Sequence, residues 1–373
     1  MEVRRVVVDE VASAGVPETV SGGEGAVEAA PGISVDGAPD VSVEPASAVA
    51  SQLGESPRWD AERRSLWWVD ITGSVLHELR TDGETVSRLL ARHAGTVMLA
   101  DDGRLLLATT AGLEVLDLAA PEIAAAADAD AAAVAADGGA HSSAPQVIGG
   151  VVVCPIEADE PGRRMNDASV DPSGRVFAGT MRWHDAGAQP HDGVLYRFDG
   201  PVPAVPVMTG IGCPNGLVWP RPDLLAYIDS MTRSIALWSV DPETGELLER
   251  TGGIDVSAFE GVPDGMTLDA DGALWVAFWG GGVVRRFALD GTVLATIELP
   301  TPLVTSVAFG GPDLATLYIT TARPDPEPVT SASSSASSAP VPASSASSDP
   351  AGLLYRCVPG PRGLLPDRWP ASR

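Results

Sequence analysis

Cysteine is scarce: Cys154, Cys213 and Cys357 are odd in number and far apart in a chain of 373 residues. No CxxC metal motif and no local disulfide framework can be assembled from them. They read as small buried hydrophobes in a reducing compartment. The histidines His77, His93, His141, His184 and His191 show neither HxH nor HExxH spacing, so a local zinc motif is not signalled. Long apolar runs are missing too. Nothing approaches the roughly 18 residues of a spanning helix, and Met1 to Glu10 has two arginines without a signal-peptide apolar segment. The expectation is a cytoplasmic protein without a membrane partner. Basic residues are outnumbered, 24 Lys+Arg against 50 Asp+Glu, and a formal net charge of -26 would repel phosphate backbones and anionic membrane surfaces. Nucleic acid is excluded as a partner on that ground. No G-x-S-x-G elbow supports serine hydrolase chemistry. Gly280-Gly281-Gly282 follows one strand and opens another, which rules out a dinucleotide cradle.

Helical periodicity is also absent between the apolar segments, which speaks against parallel βαβ architectures. What the chain does contain is a recurring strand pair. The first strand type recurs as Leu66 to Ile71, Arg104 to Thr109, Arg175 to Thr180, Leu224 to Ser230, Ala273 to Phe278 and Thr316 to Thr321. Each is followed by a second: Ser74 to Leu79, Gly112 to Leu118, Gly193 to Phe198, Ser234 to Val240, Gly282 to Leu289 and Gly352 to Cys357. Turn chemistry such as Asp101-Asp102-Gly103 and Asp271-Gly272 precedes several first strands. Where no low-complexity block intervenes, corresponding strands are about 40 to 50 residues apart, the period of a four-stranded propeller blade. An all-β, six-bladed β-propeller is expected, ahead of a pair of β-sandwiches, which would not need one motif six times.

Three stretches fall outside the repeat. Residues 1–40, rich in Val, Ala, Gly, Glu and Pro and without aromatics, read as a disordered N-terminal extension. Low-complexity insertions are expected at about 119–144, mostly Ala and Asp, and at 324–350, rich in Ser, Ala and Pro. The remainder, 41–373, reads as one propeller domain. Its N-terminal strand, placed at Val41-Ser42-Val43-Glu44, is expected to complete the last blade, because the C-terminal repeat is one strand short.

Four polar stretches precede apolar strands and read as loops: Gly54-Glu55-Ser56-Pro57, Arg163-Arg164-Met165-Asn166-Asp167, Cys213-Pro214-Asn215-Gly216 and Pro263-Asp264-Gly265. Three place Glu55, Asn215 or Asp264 beside proline or glycine at comparable points of separate repeats, which would aim three oxygens at the mouth of a central channel. Two carboxylates and an amide oxygen suit a hard divalent cation such as Ca²⁺, Mg²⁺ or Mn²⁺. Taken singly, Asn215-Gly216 and Asp264-Gly265 are equally turn formers, and Glu55 a solvated loop acid. Trp67, Trp68, Trp275 and Trp279 read as core or channel-wall aromatics.

These motifs, with Arg58-Trp59, Ala178-Gly179-Thr180-Met181, Gly265-Met266 and Thr305-Ser306-Val307-Ala308-Phe309-Gly310-Gly311, occur in the order seen in the SMP-30/gluconolactonase/LRE family, which the chain resembles from about Val41 onward, the insertions aside. The resemblance implies a six-bladed propeller with one divalent cation (Ca²⁺, Zn²⁺, Mg²⁺ or Mn²⁺) on Glu55, Asn215 and Asp264. It implies that Arg164 and Asn166 face a small-molecule sugar lactone, which metal-activated water hydrolyses to the aldonic acid with Asp264 as catalytic base. In family members an acidic residue shortly after Gly-Thr-Met also contacts the sugar. Here that region is Arg182-Trp183-His184-Asp185, so this contact is not carried over. The alternative is a non-catalytic propeller that binds calcium or a protein partner. A monomer or small homo-oligomer is expected.

Overall fold

The structure, a computed structural model, describes residues 6–7, 41–120, 122–123, 147–183, 191–324 and 349–372. Six antiparallel sheets of at least four strands are arranged as the blades of a β-propeller. Blade 1 runs from the channel outward as Gly54–Asp60, Ser65–Asp70, Val75–Arg80 and Thr85–Leu90. Blade 2 is Ala94–Leu99, Leu105–Thr109, Gly112–Leu116 and Val151–Pro155. Blade 3 is Arg163–Val170, Val176–Arg182, Gly193–Phe198 and Val205–Ile211. Blade 4 is Pro214–Arg221, Leu224–Asp229, Ser234–Val240 and Leu247–Asp255, and blade 5 is Val262–Leu268, Leu274–Trp279, Val283–Phe287 and Val293–Glu298. Blade 6 combines Val304–Gly310, Thr316–Thr321 and Leu353–Cys357 with Glu44–Ala50. The sole helical element among the described residues is the 3-10 turn Ser230–Thr232, and none of their helices could cross a membrane.

The strand pairs legible in the sequence are the second and third strands of each blade. The second strands are sandwiched on both faces, which is why they read as near-continuous apolar runs rather than alternating ones: every residue of Ser65–Asp70, Leu105–Thr109 and Leu224–Asp229 is buried. Their side chains meet those of the next blade. Six apolar clusters result, one at each junction between neighbouring blades, including the junction of blades 6 and 1 built on Trp59, Leu66, Trp68, Tyr318 and Leu354. Trp67, Trp68 and Trp275 are fully buried in these seams, whereas Trp279 is half-buried.

The ring closes as expected, with an N-terminal strand on the outer edge of the last blade, but the strand lies three residues further along the chain. Val41, Ser42 and Val43 are not in it; Glu44 pairs with Arg356 and Pro45 with Tyr355. The partner explains the shift. Extending the pairing back to Val41 would need strand beyond Cys357, where Val358-Pro359-Gly360 ends the ladder. Val41 and Val43 instead pack against the cluster between blades 5 and 6. The closing seam is also tied by Thr305 Oγ1, which donates to Gly54 O at 2.6 Å.

The first low-complexity stretch enters blade 2 between its third and fourth strands, and its described edges extend blade 1: Val147–Gly149 pairs in parallel with Thr85–Leu90, and Glu122–Ile123 pairs with Val147–Gly149. Most of the expected insertions at 119–144 and 324–350, and of residues 1–40, lies outside the described residues. Val6–Val7 pairs in parallel with Val205–Ile211. The C-terminal segment crosses one end of the channel from blade 5, where Gly363 bridges Asp269, to blade 2, where Trp369 bridges Ala100 and is buried against Met98, Val170 and Phe198. A cavity of about 120 Å³ lies between Leu364–Asp367 of this segment and the far ends of the inner strands.

Candidate metal centre and active site

The four polar stretches read as loops are not loops. Each belongs to the innermost strand of a blade, the one lining the channel. Proline, glycine, asparagine and aspartate disfavour strand, yet here they sit where the ladder is interrupted. In all six inner strands the register with the second strand slips at the same level: between Glu55 and Arg58, Ala94 and Thr96, Met165 and Ala168, Pro214 and Leu217, Pro263 and Met266, and Val304 and Ser306. A bulge turns the strand and re-aims its side chains, and an inner strand is a sheet edge, where proline is tolerated. The glycines serve close approach rather than turns. A Cβ on Gly265 would lie 2.1 Å from Ser306 Oγ, and one on Gly216 would lie 2.6 Å from Met266 Cγ.

The backbone groups that the bulges free are satisfied across blades, forming a belt around the channel. Ser56 Oγ accepts from Val97 N at 3.1 Å, and Thr96 Oγ1 donates to Asn166 O at 2.8 Å. Asn166 Nδ2 donates to Pro214 O at 2.7 Å and to Asn215 Oδ1 at 2.9 Å. Asn215 Nδ2 donates to Ser230 Oγ at 2.8 Å, and Ser230 Oγ donates to Pro263 O at 2.7 Å. The Ser230 contact fixes which end of the Asn215 amide is nitrogen, and its oxygen keeps a lone pair beyond the one that Asn166 uses.

Glu55, Asn215 and Asp264 thus stand at the bulges of blades 1, 4 and 5 and Asn166 at that of blade 3, with Arg164 on the regular ladder just before it. Asn215, Asp264, Arg164 and Asn166 are buried and Glu55 is half-buried. Their charges act on one another. Burial, then the charge of Asp167, pushes the Glu55 carboxyl up to about 8, against the Ser56 N–H and the Arg164 and Arg58 guanidiniums. Burial, then the charges of Glu55 and Asp167, pushes Asp264 well above the ordinary aspartate range, against Arg164 and the Gly265 N–H. Burial lowers Arg164 from its usual value, with Cys213, Glu55 and Asp264 opposing.

This donor set fits a hard dication. The ionised forms of the two carboxyls are disfavoured by burial and by neighbouring acids, the bulge of blade 4 adds an oriented amide oxygen, and a cation among them would favour both anions. Arg164 does not fill that place, since its Nη1 donates to Met165 O at 3.1 Å and to Asn166 Oδ1 at 2.5 Å. Among the described residues no three His, Cys, Asp or Glu side chains form a ligand cluster by themselves. Asn215 would supply the third oxygen of such a site, while Asp167 Oδ1 accepts from Ala168 N at 2.8 Å and lies 3.9 Å from Arg58 Nη2, its charge acting on both Glu55 and Asp264.

A model of the family described as SMP-30/Gluconolactonase/LRE-like region matches residues 53–323. The chain belongs to that family. Within it, a pentonolactonase of Haloferax volcanii is 35% identical over 278 residues, 74% of this chain and 83% of that one. Regucalcin of Danio rerio is 31% identical over 275 residues, 73% of this chain and 83% of its own. Among solved structures, the calcium-binding regucalcin of Agrobacterium tumefaciens superposes with a TM-score of 0.70 at 24% identity, covering 88% of this chain and 97% of that one, which bears on the fold.

Several residues beside the family motifs escaped the sequence reading. Ser230 orients Asn215; Asp167 and Arg58 set the field at Glu55; Trp183 lies against Arg164, 4.9 Å from guanidinium carbon to ring centroid. Cys213, read as a core thiol, is half-buried beside the site, its Sγ 3.6 Å from Asn215 Nδ2, and its thiol is pushed up to about 12 by burial and then by Asp264. Adjacency to Asn166, Asn215 and Gly-Thr-Met was the available signal for Asp167, Cys213 and Trp183. Ser230 offered none, being brought in by the turn after a second strand. His184 lies outside the described residues.

Proposed function

We propose that the protein hydrolyses a sugar lactone, an aldonolactone of the gluconolactone or pentonolactone type, to the aldonic acid. What supports this reading is the mutual influence of the Glu55, Asp264 and Arg164 charges beside the Asn166–Asn215 hydrogen bond, in a chain whose relatives include a named pentonolactonase. Glu55, Asn215 and Asp264 would hold one divalent cation, which when bound supplies positive charge to polarise the lactone carbonyl and to acidify water. Arg164 donates to sugar oxygens, and its always-protonated guanidinium favours the negative charge that develops as the carbonyl is attacked. Asn166 couples the two halves, accepting from Arg164 and donating to Asn215, so the substrate-facing cation and the amide ligand move together. Asp264 takes the proton of the attacking water and returns it to the ring oxygen as the C–O bond breaks. Burial and the charge of Glu55 raise its proton affinity in the metal-free protein, and a bound cation acts in the opposite direction, so that Asp264 as a ligand is a weak base.

The test is a panel of aldonolactones assayed by acid release, on protein stripped by exhaustive chelation and then reloaded with Ca²⁺, Mg²⁺, Mn²⁺ or Zn²⁺. The expected result is no turnover when stripped, a lower melting temperature, and recovery to different degrees with different ions. Full turnover by verified metal-free protein would sink the cation's role, and no turnover with any lactone and any ion would sink the activity.

A further inference from the structure

Arg164 is buried, and among the described residues no ion pair holds it. Its Nη1 reaches two oxygens, while its Nε is enclosed without a hydrogen-bond partner. Its guanidinium carbon lies over the ring of Trp183, 4.9 Å from the ring centroid. Trp183 is itself braced. Its backbone N–H donates to Gly162 O at 2.9 Å, its side chain packs on the apolar cluster between blades 1 and 2, and its ring meets His93 edge-on, 5.1 Å between centroids and 70° between planes. His93 Nδ1 lies 2.7 Å from Ser74 Oγ and 2.9 Å from Ile71 O. A ladder from blade 1 through His93 and Trp183 therefore ends on the one cation assigned to the substrate.

We propose that Trp183 is a positioning residue that fixes the plane of the Arg164 guanidinium and, through it, the enzyme's hold on the lactone. The second half of the proposal rests on the lactonase reading above. A planar guanidinium offers donors only around its rim, so holding the group against the ring sets which way that rim points. A cation held against an aromatic face is worth more when water is withdrawn, and here Arg164 is buried and Trp183 half-buried. With one face of its ring taken by Arg164, Trp183 acts through the arginine and is not a platform on which the sugar lies.

The test uses Trp183→Leu, which keeps apolar bulk against the cluster, Trp183→Phe, which keeps a ring, and Arg164→Lys alone and combined with Trp183→Leu. With the best lactone of the panel, Trp183→Leu is expected to raise KM roughly tenfold with kcat within about twofold, and Trp183→Phe to restore most of the loss. In the Arg164→Lys background Trp183→Leu should add almost nothing, the mark of two residues acting as one unit. An equal rise of KM in both backgrounds, or a KM in Trp183→Leu matching the parent, overturns the proposal. A second readout needs no turnover: the ¹⁵N-detected Arg164 Nε–H resonance, assigned by its loss in Arg164→Lys, should be ring-shifted and protected from exchange in the parent and lose both properties in Trp183→Leu. An unchanged resonance overturns the stacking role even if the parent hydrolyses no lactone, which would by itself refute only the assigned reaction.

Discussion

The second strand and the inner strand of a blade are neighbours in one sheet, yet they obey opposite rules. Leu274–Trp279 of blade 5 is Leu-Trp-Val-Ala-Phe-Trp, almost wholly buried and paired along its length with both neighbours. Val262–Leu268 beside it carries Pro263, Asp264 and Gly265 in a bulge, with a buried carboxyl and a glycine pressed on the next blade. The first holds the blades together, the second gives up ladder hydrogen bonds to point oxygens into the channel. Stability and chemistry are thus separated by about one strand spacing, some 5 Å. Substitutions in the two layers should therefore have separable effects.

The largest expected effect is on the scaffold. Phe287, fully buried on the third strand of blade 5, meets Phe259 edge-on and Phe278 at a tilt in the seam with blade 4. Phe287→Ala should cost about 3–5 kcal/mol, from lost burial plus the cavity left behind. Calorimetry should show a melting temperature lower by roughly 10 °C, whereas kcat/KM measured well below the transition should stay within about twofold of the parent. A folded variant with a crippled kcat/KM would show that the two layers are not separable.

Asp264→Asn makes the converse cut. It keeps side-chain size and removes charge and basicity, so kcat/KM should fall by a factor on the order of 10² or more and metal affinity should drop. In chelated protein the melting temperature should hold or rise, because a buried acid next to Glu55 has been neutralised. Parent-like metal binding and turnover would reduce Asp264 to a residue that shapes the bulge.

The same contrast explains what was legible. The second and third strands announce themselves by apolar runs and turn residues, so six repeats and ring closure could be read from them. The inner strands carry the residues that propensity assigns to loops, and their strand character comes from pairing with the second strand on both sides of each bulge and from side chains of the next blade filling the gap. Gly265 looks like a turn glycine because the Ser306 side chain it makes room for is 41 positions away in the chain. Recurrence beside proline and glycine exposed Glu55, Asn215 and Asp264, since it needs no knowledge of conformation. Ser230 and Trp183 do not recur. Their roles exist only through contact with Asn215 and Arg164, and Val41 to Val43 misled because what decided the closing strand was the proline in its partner.

A further expected effect is a pH dependence of stability centred on the inner layer. In metal-free protein Glu55 titrates at about 8, against an ordinary 4.5. Below 4.5 the group is protonated in folded and unfolded chains alike, and its favourable contribution to stability is fully present. Between 4.5 and 8 the unfolded chain releases the proton and the folded one keeps it, so this contribution is lost as pH rises. His77, lowered to about 4 by burial, works in the other direction between 4 and 6.5, since its unfolded form takes up a proton the folded one refuses. Parent and Glu55→Gln share that histidine, so the difference between their denaturation curves removes it and reports Glu55 together with Asp264, whose titration its charge shifts. Chelated Glu55→Gln should gain stability relative to the parent steadily from pH 5 to pH 8. Saturating divalent cation should flatten the parent's share of that slope, because a bound cation keeps the carboxylate ionised throughout. Parallel chelated curves would mean that Glu55 is solvated like a loop acid and not part of the buried inner layer.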